Sequence, residues 1–226
     1  MKNLAIIPAR GGSKRIPRKN IKDFLGKPII AYSIETALES RLFDEVMVST
    51  DDGEIAGVAQ DYGAEVPFMR SDENANDYAT TVEVLLEVLE EYGKRNLDFD
   101  HVCCLYPTAP FVTKEDLQKG FGLLEEANSS LPVVAFEFPV QRAFKKNKDQ
   151  TIHYAWPKHE RTRSQDLDTY YHDAGQWYWI KTEELQTEET LVTSQCKAVE
   201  KNSMAVQDID NEEDWKLAEL KFRLVE

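Results

Sequence analysis

Two hydrophobic rhythms take turns along this chain. Short apolar runs at residues 4–8 (Leu-Ala-Ile-Ile-Pro), 45–49 (Glu-Val-Met-Val-Ser) and 100–106 have the length and boundaries of buried strands. Between them apolar residues recur at helical spacing. Residues 29–39 read as one helix, and residues 80–92 place Val82, Leu85, Leu86 and Leu89 on one face of another. Three further helix starts carry the spacing of a capping box: Asp51 with Glu54, Thr113 with Asp116, and Asp210 with Glu213. The last opens a helix whose Trp215, Ala218, Phe222 and Val225 share a stripe. Residues 65–68, 131–136, 176–180 and 199–206 supply the remaining strand candidates. Strands alternating with helices predict an α/β fold, a mostly parallel sheet flanked by helices. From 138 to 171 the alternation lapses into polar, basic and aromatic residues, so this stretch is expected to leave the main sheet as a small lobe.

Composition narrows the class. The 226 residues carry a net charge of −14, against the basic surface that a nucleic-acid binder needs. No stretch approaches the ~20 apolar residues that span a bilayer. No secretory signal precedes the first strand, so a cytoplasmic protein is expected. Cys103 and Cys104 lie inside an apolar run and read as core residues, and the four histidines lack metal-ligand spacing. A chain of this length fits a single domain spanning 1–226, with the lobe inserted in it.

Charge is distributed very unevenly. Between Arg10 and Lys27 lie seven basic residues and one acid, a local balance of +6, directly after the first strand. The segment Ala9-Arg10-Gly11-Gly12-Ser13-Lys14-Arg15-Ile16-Pro17-Arg18-Lys19-Asn20 matches neither the P-loop nor the dinucleotide fingerprint. It keeps their physics. Adjacent glycines let backbone N–H groups approach an anion, and Arg10, Lys14 and Lys19 supply charge for a polyphosphate. In open α/β sheets a ligand sits beyond the carboxyl ends of the strands, where this loop would lie. Its alternative is a solvated basic turn.

Other constellations are weaker. Asp208 and Asp210, two apart, would project to one side of an extended segment and grip a hard cation such as magnesium. Asp210 serves equally well as a helix N-cap. Tyr106-Pro107-Thr108-Ala109-Pro110 reads first as a stiff turn ending a strand, though its polar groups could face a ligand. In the dense run from His172 to Trp179, His172 reads as a packing or hydrogen-bonding residue. Gln176 and Tyr178 share parity with Ala174 and are expected to line a sugar-sized pocket, with the tryptophans packed behind.

Taken together, the loop, the Tyr-Pro-Thr-Ala-Pro turn and the Asp-Ile-Asp pair resemble the sugar-acid cytidylyltransferases, the CMP-sialic acid synthetases and their relatives. Ala9, Arg10, Ser13, Lys14, Pro17, Lys19 and Asn20 match that family's opening pattern. The segments 163–167, 171–179 and 208–219 read like its pseudaminic acid subgroup. The resemblance implies a Rossmann-like fold of the nucleotide-diphospho-sugar transferase type with a dimerisation lobe. It also implies Mg²⁺-dependent transfer of CMP from CTP to a nine-carbon 2-keto sugar acid, with release of pyrophosphate, for surface glycan or flagellin glycosylation. Pseudaminic acid is the expected acceptor, with N-acetylneuraminic or legionaminic acid as alternatives.

By position, Arg10, Lys14 and Lys19 would hold the triphosphate, Ala9, Ser13 and the Gly11-Gly12 amides would cradle it, and Asp208 and Asp210 would hold the metal. Asn20, Thr80 and Thr81 would meet ribose and cytosine. Tyr106, Thr108, Arg163, Gln165, Gln176 and Tyr178 fall on the sugar side, with Tyr106 standing where sialic-acid members usually have Gln. A homodimer is expected, with Arg142 meeting the partner's substrate.

Overall fold

The computed structural model describes residues 1–225. In chain order it contains β1 (Asn3–Pro8), β2 (Asp23–Phe24), β3 (Lys27–Pro28), α1 (Ile29–Ser40), β4 (Glu45–Ser49), α2 (Gly53–Asp61), α3 (Asp72–Ala75), α4 (Thr81–Gly93), β5 (His101–Leu105), α5 (Lys114–Gly122) and β6 (Ser129–Ala135). There follow β7 (Phe144–Lys146), β8 (Ile152–Tyr154), β9 (Tyr171–Asp173), β10 (Trp177–Lys181), α6 (Thr182–Glu188), β11 (Cys196–Glu200) and α7 (Glu212–Val225).

The main sheet runs β11-β6-β10-β5-β1-β4, with β9 also pairing to β6. Parallel pairing joins β1 to β4, β1 to β5 and β11 to β6, while β10 runs antiparallel between β5 and β6. This is the expected Rossmann-like layering of a mostly parallel sheet between helices. Strand parity sorts the side chains into two cores. Ala5, Ile7, Val46, Val48, Cys103, Leu105, Trp177 and Trp179 meet α1, α2 and α5 on one face. Leu4, Ile6, Met47, Val102, Cys104, Tyr178 and Ile180 meet α4 and α6 on the other. Burying each large apolar side chain is worth about 1.5–3 kcal/mol. A third cluster seats α7, through Trp215, Ala218 and Phe222, on Ile16, Phe24, Ile29 and Phe111.

Several expectations need correction. Residues 65–68 form no strand: Glu65 makes one isolated bridge to Met47, and its neighbours run on toward the loop above β4. The strand expected at 199–206 lies at Cys196–Glu200, because the chain turns at 203–205 and Lys221 holds that turn by the carbonyls of Ser203 and Val206. Val225 is exposed rather than on the buried stripe of α7. The box opening at Asp51 sits one residue later: Asp52 caps α2 by accepting from the Glu54 and Ile55 amides. Asp210 is not the cap of α7 either. Asn211 accepts from the Glu213 and Asp214 amides, and Asp214 returns bonds to the amides of Asp210 and Asn211.

One distortion positions the later site. β9 pairs β6 as Asp173 to Val133, but β10 pairs it as Trp179 to Ser130, a slip of three residues. Residues 174–176 therefore bulge out of the ladder, with Gly175 at φ +61°. Residues 136–170 stand outside the main sheet, carry the β7–β8 hairpin, and expose Phe138, Phe144, Ile152 and Trp156.

Candidate active site

The carboxyl ends of β4, β1 and β5 stand side by side, and each releases a loop to the same edge. The loop after β1 is braced from within. Asn20 is buried and its Nδ2 donates to the Arg10 carbonyl at 3.0 Å, while Ala9 donates its amide to Ser49. Arg18, at φ 56°, reaches Asp52 and Glu54 and ties the loop to the start of α2. The Gly11 amide donates to Asp51 Oδ1 at 2.8 Å, so it is not free to cradle an anion. Gly11 matters sterically instead. A Cβ there would lie 2.7 Å from Asp52 Oδ2, a distance real side chains do not tolerate. The displaced aspartate of the α2 start, Asp51, thus holds the loop at Gly11, while the cap Asp52 holds it at Arg18.

Every basic residue of the +6 segment has a partner. Lys22 and Lys27 pair with Glu212 and Glu35 and anchor the loop's far end. Arg10, Lys14, Arg15 and Lys19 are different, because all four line adjoining cavities. Arg10 and Lys14 both pair with Asp77, Arg10 at 2.8 Å. Arg15 pairs with Asp210 at 2.7 Å. The Lys19 ammonium donates to the Ile209 carbonyl at 2.7 Å, between the two aspartates of the Asp-Ile-Asp run.

Two cavities meet at these cations. The larger, about 320 Å³, has Pro8, Arg10, Ser13, Lys19 and Asn20 on one wall. Thr80 and Thr81, at the start of α4, and Tyr106 and Thr108, after β5, form others. The second, about 270 Å³, shares Arg10, Ser13, Lys19 and Asp77 and adds Lys14, Arg15 and Asp210. Burial pushes the Lys19 pKa down while Asp210 and Asp208 pull it up. Asp208 reaches solvent, yet partial loss of hydration, followed by the charge of Asp210, raises its pKa. Two carboxylates that repel each other beside a half-buried ammonium form a site that a cation relieves. Among the described residues no third Asp, Glu, His or Cys completes an all-protein metal cage.

The structure brings Arg10, Ser13, Lys14, Lys19, Asn20, Thr80, Thr81, Tyr106, Thr108 and Asp210 to the two cavities, but not every expected residue: Ala9, Gly11, Gly12 and Asp208 line neither. Gln176 and Tyr178 are buried: Gln176 donates to the Ala205 carbonyl, and Tyr178 lies against Tyr106 behind the cavity wall. Tyr178 shares the core face of β10 with Ile180 opposite Cys104, and the bulge at 174–176 separates both residues from the register of β9. Arg142 reaches Ser164 and Arg163 pairs with Asp166, while Gln165 is exposed; all three belong to the lobe and line neither cavity.

Four polar wall residues escaped the reading of motifs: Arg70, Asn74, Asn76 and Asp77. Arg70 is buried and donates to Ser49 at the end of β4. Their only sequence signal is a polar, amide-rich connection after the second strand, on the same sheet edge as the basic loop.

The cytidylyltransferase family model matches residues 4–221. The chain belongs to the cytidylyltransferase family. Among its relatives, a pseudaminic acid cytidylyltransferase from Campylobacter jejuni is 44% identical, covering 99% of this chain and 97% of that protein. A CMP-N,N'-diacetyllegionaminic acid synthase from Legionella pneumophila is 32% identical over the same shares. A CMP:2-keto-3-deoxy-manno-octonic acid synthetase solved with CTP superposes with a TM-score of 0.72 at 20% identity, covering 100% of both chains. That likeness establishes the fold.

Proposed function

We propose that this cytidylyltransferase joins CTP to pseudaminic acid, giving CMP-pseudaminic acid and pyrophosphate. The observation that carries the reaction is the convergence of Arg10, Lys14 and Lys19 with Asp210 at cavities over the strand ends. The C2 hydroxyl of the acid attacks the α-phosphorus. Its oxygen forms the new O–P bond, the bond to the β-phosphate breaks, and the hydroxyl proton leaves to solvent as pyrophosphate departs. Such a transfer asks the protein for alignment and charge neutralisation. Arg10 and Lys14 bind the β- and γ-phosphates, Lys19 sits nearer the reacting phosphorus, and Ser13 with the Gly12 amide orients the chain of phosphates. Asn20, Thr80 and Thr81 hold the nucleoside end of the same cavity.

Asp208 and Asp210 fit Mg²⁺, which takes one or two carboxylates and completes its shell with water and phosphate oxygens. Bound there with the nucleotide, it would neutralise developing phosphate charge. The choice of pseudaminic acid rests on the 44% identity over nearly the whole chain; legionaminic acid is the second reading, supported by the 32% relative. The whole chain acts as one domain with an inserted lobe, and the apolar side chains exposed on that lobe support a homodimer in which Arg142 meets the partner's sugar. No described helix is long and apolar enough to cross a membrane, and a CTP substrate supports work in the cytoplasm.

The test is pyrophosphate release from each of the four nucleoside triphosphates against a panel of nine-carbon sugar acids, with and without Mg²⁺. Release with CTP and pseudaminic acid, dependent on Mg²⁺, is expected. Release with no acid on the panel would overturn the reading. Asp208→Ala and Asp210→Ala should each lose most turnover with the fold intact, and near-wild-type activity of both across a magnesium titration refutes the metal assignment.

A further inference from the structure

One cation at the cavities is held by a carboxylate that the proposed transfer needs for something else. The Arg15 guanidinium pairs with Asp210 at 2.7 Å, and among the described residues the Asp210 carboxylate makes no other hydrogen bond or ion pair. Both side chains line the 270 Å³ cavity with Arg10, Lys14 and Lys19. Their backbones are fixed by other contacts. The neighbours Ile16 and Ile209 are buried together in the cluster that seats α7, and the Asp210 amide donates to Asp214 at 3.0 Å. Lys19 holds the Ile209 carbonyl independently of Arg15. The two charged side chains can therefore part without loosening loop or helix, and they are exposed enough to do so, Arg15 at 68% and Asp210 at 41%. Arg18 is the opposite case, tied to both oxygens of Asp52 and to Glu54.

We infer that Arg15 occupies the Asp210 carboxylate until a divalent cation arrives and then turns to the triphosphate, so that metal and CTP bind cooperatively. This role rests on the proposed Mg²⁺ site at Asp208 and Asp210. Charge dictates the exchange. Without the cation, a departing Arg15 would leave a bare Asp210 carboxylate close to Asp208 and facing the incoming phosphates, and like charges oppose that. With the cation on Asp210, Arg15 loses its partner. It remains in the cavity it shares with Lys14, where its planar fork can grip phosphate oxygens. An exposed ion pair changes an equilibrium by no more than about fivefold, which a doubly charged ion overcomes. Each ligand thus removes an obstacle to the other, and the coupling is the same whichever binds first.

The experiment compares wild type, Arg15→Gln, Lys14→Gln and Asp210→Ala. Mn²⁺ binding to each protein without nucleotide is followed by electron paramagnetic resonance, and CTP affinity is measured by calorimetry in EDTA and in Mg²⁺. Arg15→Gln should bind Mn²⁺ about fivefold more tightly than wild type, because Asp210 is no longer occupied. Lys14→Gln removes the same charge from the same cavity but frees no metal carboxylate, so its Mn²⁺ affinity should stay near wild type. Arg15→Gln should bind CTP like wild type in EDTA and about fivefold more weakly in Mg²⁺, whereas Lys14→Gln should weaken CTP under both conditions. Unchanged Mn²⁺ binding in Arg15→Gln, equal gains in Arg15→Gln and Lys14→Gln, or equal CTP losses with and without metal overturn the inference alone. Wild-type Mn²⁺ affinity in Asp210→Ala removes the metal assignment and this inference with it.

Discussion

Asp77 holds two of the cations proposed to bind the triphosphate. Its carboxylate pairs with Arg10 and Lys14, and those hydrogen bonds hold its pKa below the usual carboxylate range. A phosphate group arriving at the same side chains must displace it, so the nucleotide-free arrangement competes with binding. Asp77→Asn should therefore tighten CTP several-fold in calorimetry, and the gain should shrink as salt screens the exposed charges. Weaker binding in the variant would mean that Asp77 holds ligand rather than blocks it. None of this was legible in sequence. The basic loop announced itself by charge density, but which of its cations face a cavity depends on acids 34 to 195 residues away, Asp52, Glu54, Asp77, Asp210 and Glu212 among them.

Helix starts show how sequence pattern and site compete at the level of elements. At α2 and α7 alike the spacing of acids pointed to the first aspartate as the cap, and at both the structure uses the next residue. The aspartate left over is turned to the basic loop, Asp51 to the Gly11 amide and Asp210 to Arg15. Local spacing cannot distinguish the two, because adjacent polar residues offer the same capping chemistry and only the fold says which is wanted elsewhere. Where no such competition exists the reading held: Thr113 forms a complete capping box with Asp116, and the structure adds a second at α4, Thr80 with Glu83, that the spacing had not singled out. β4 also begins and ends where its apolar run does. The α5 cap extends into a tertiary contact. Asp116 receives the Thr113 amide and hydroxyl and also the Lys201 ammonium beyond β11, with both side chains only 9% exposed. Lys201→Met should cost about 3 kcal/mol, the lower end for a broken buried pair, since the capping bonds still satisfy part of the carboxylate. Urea unfolding measures this. Pairing Lys201→Met with Asp116→Asn should recover part of the loss, and purely additive losses would show that the pair is not coupled.

At the scale of the whole molecule, the acidic surface and the apolar lobe pull in opposite directions. A net charge of −14 makes copies of the chain repel at long range, so association needs a local patch that repays that repulsion. The lobe supplies such a patch, with Phe138 at 82%, Ile152 at 60% and Phe144 at 54% exposure. Phe144 and Ile152 stand at opposite ends of the β7–β8 pairing, on a hairpin too small to be stable by itself. If two copies pair through this lobe, charge placed on the hairpin separates them. Phe144→Glu combined with Ile152→Glu should convert the dimer to monomer in sedimentation at micromolar concentration. Higher salt should favour the wild-type dimer by screening the net charge. Because the cavity over the strand ends is built without any lobe residue, the monomeric variant should still bind CTP with wild-type affinity, while its turnover falls if Arg142 serves the neighbouring site. A monomer with full turnover would confine the lobe to assembly, and a variant that stays dimeric would place the interface elsewhere on the surface.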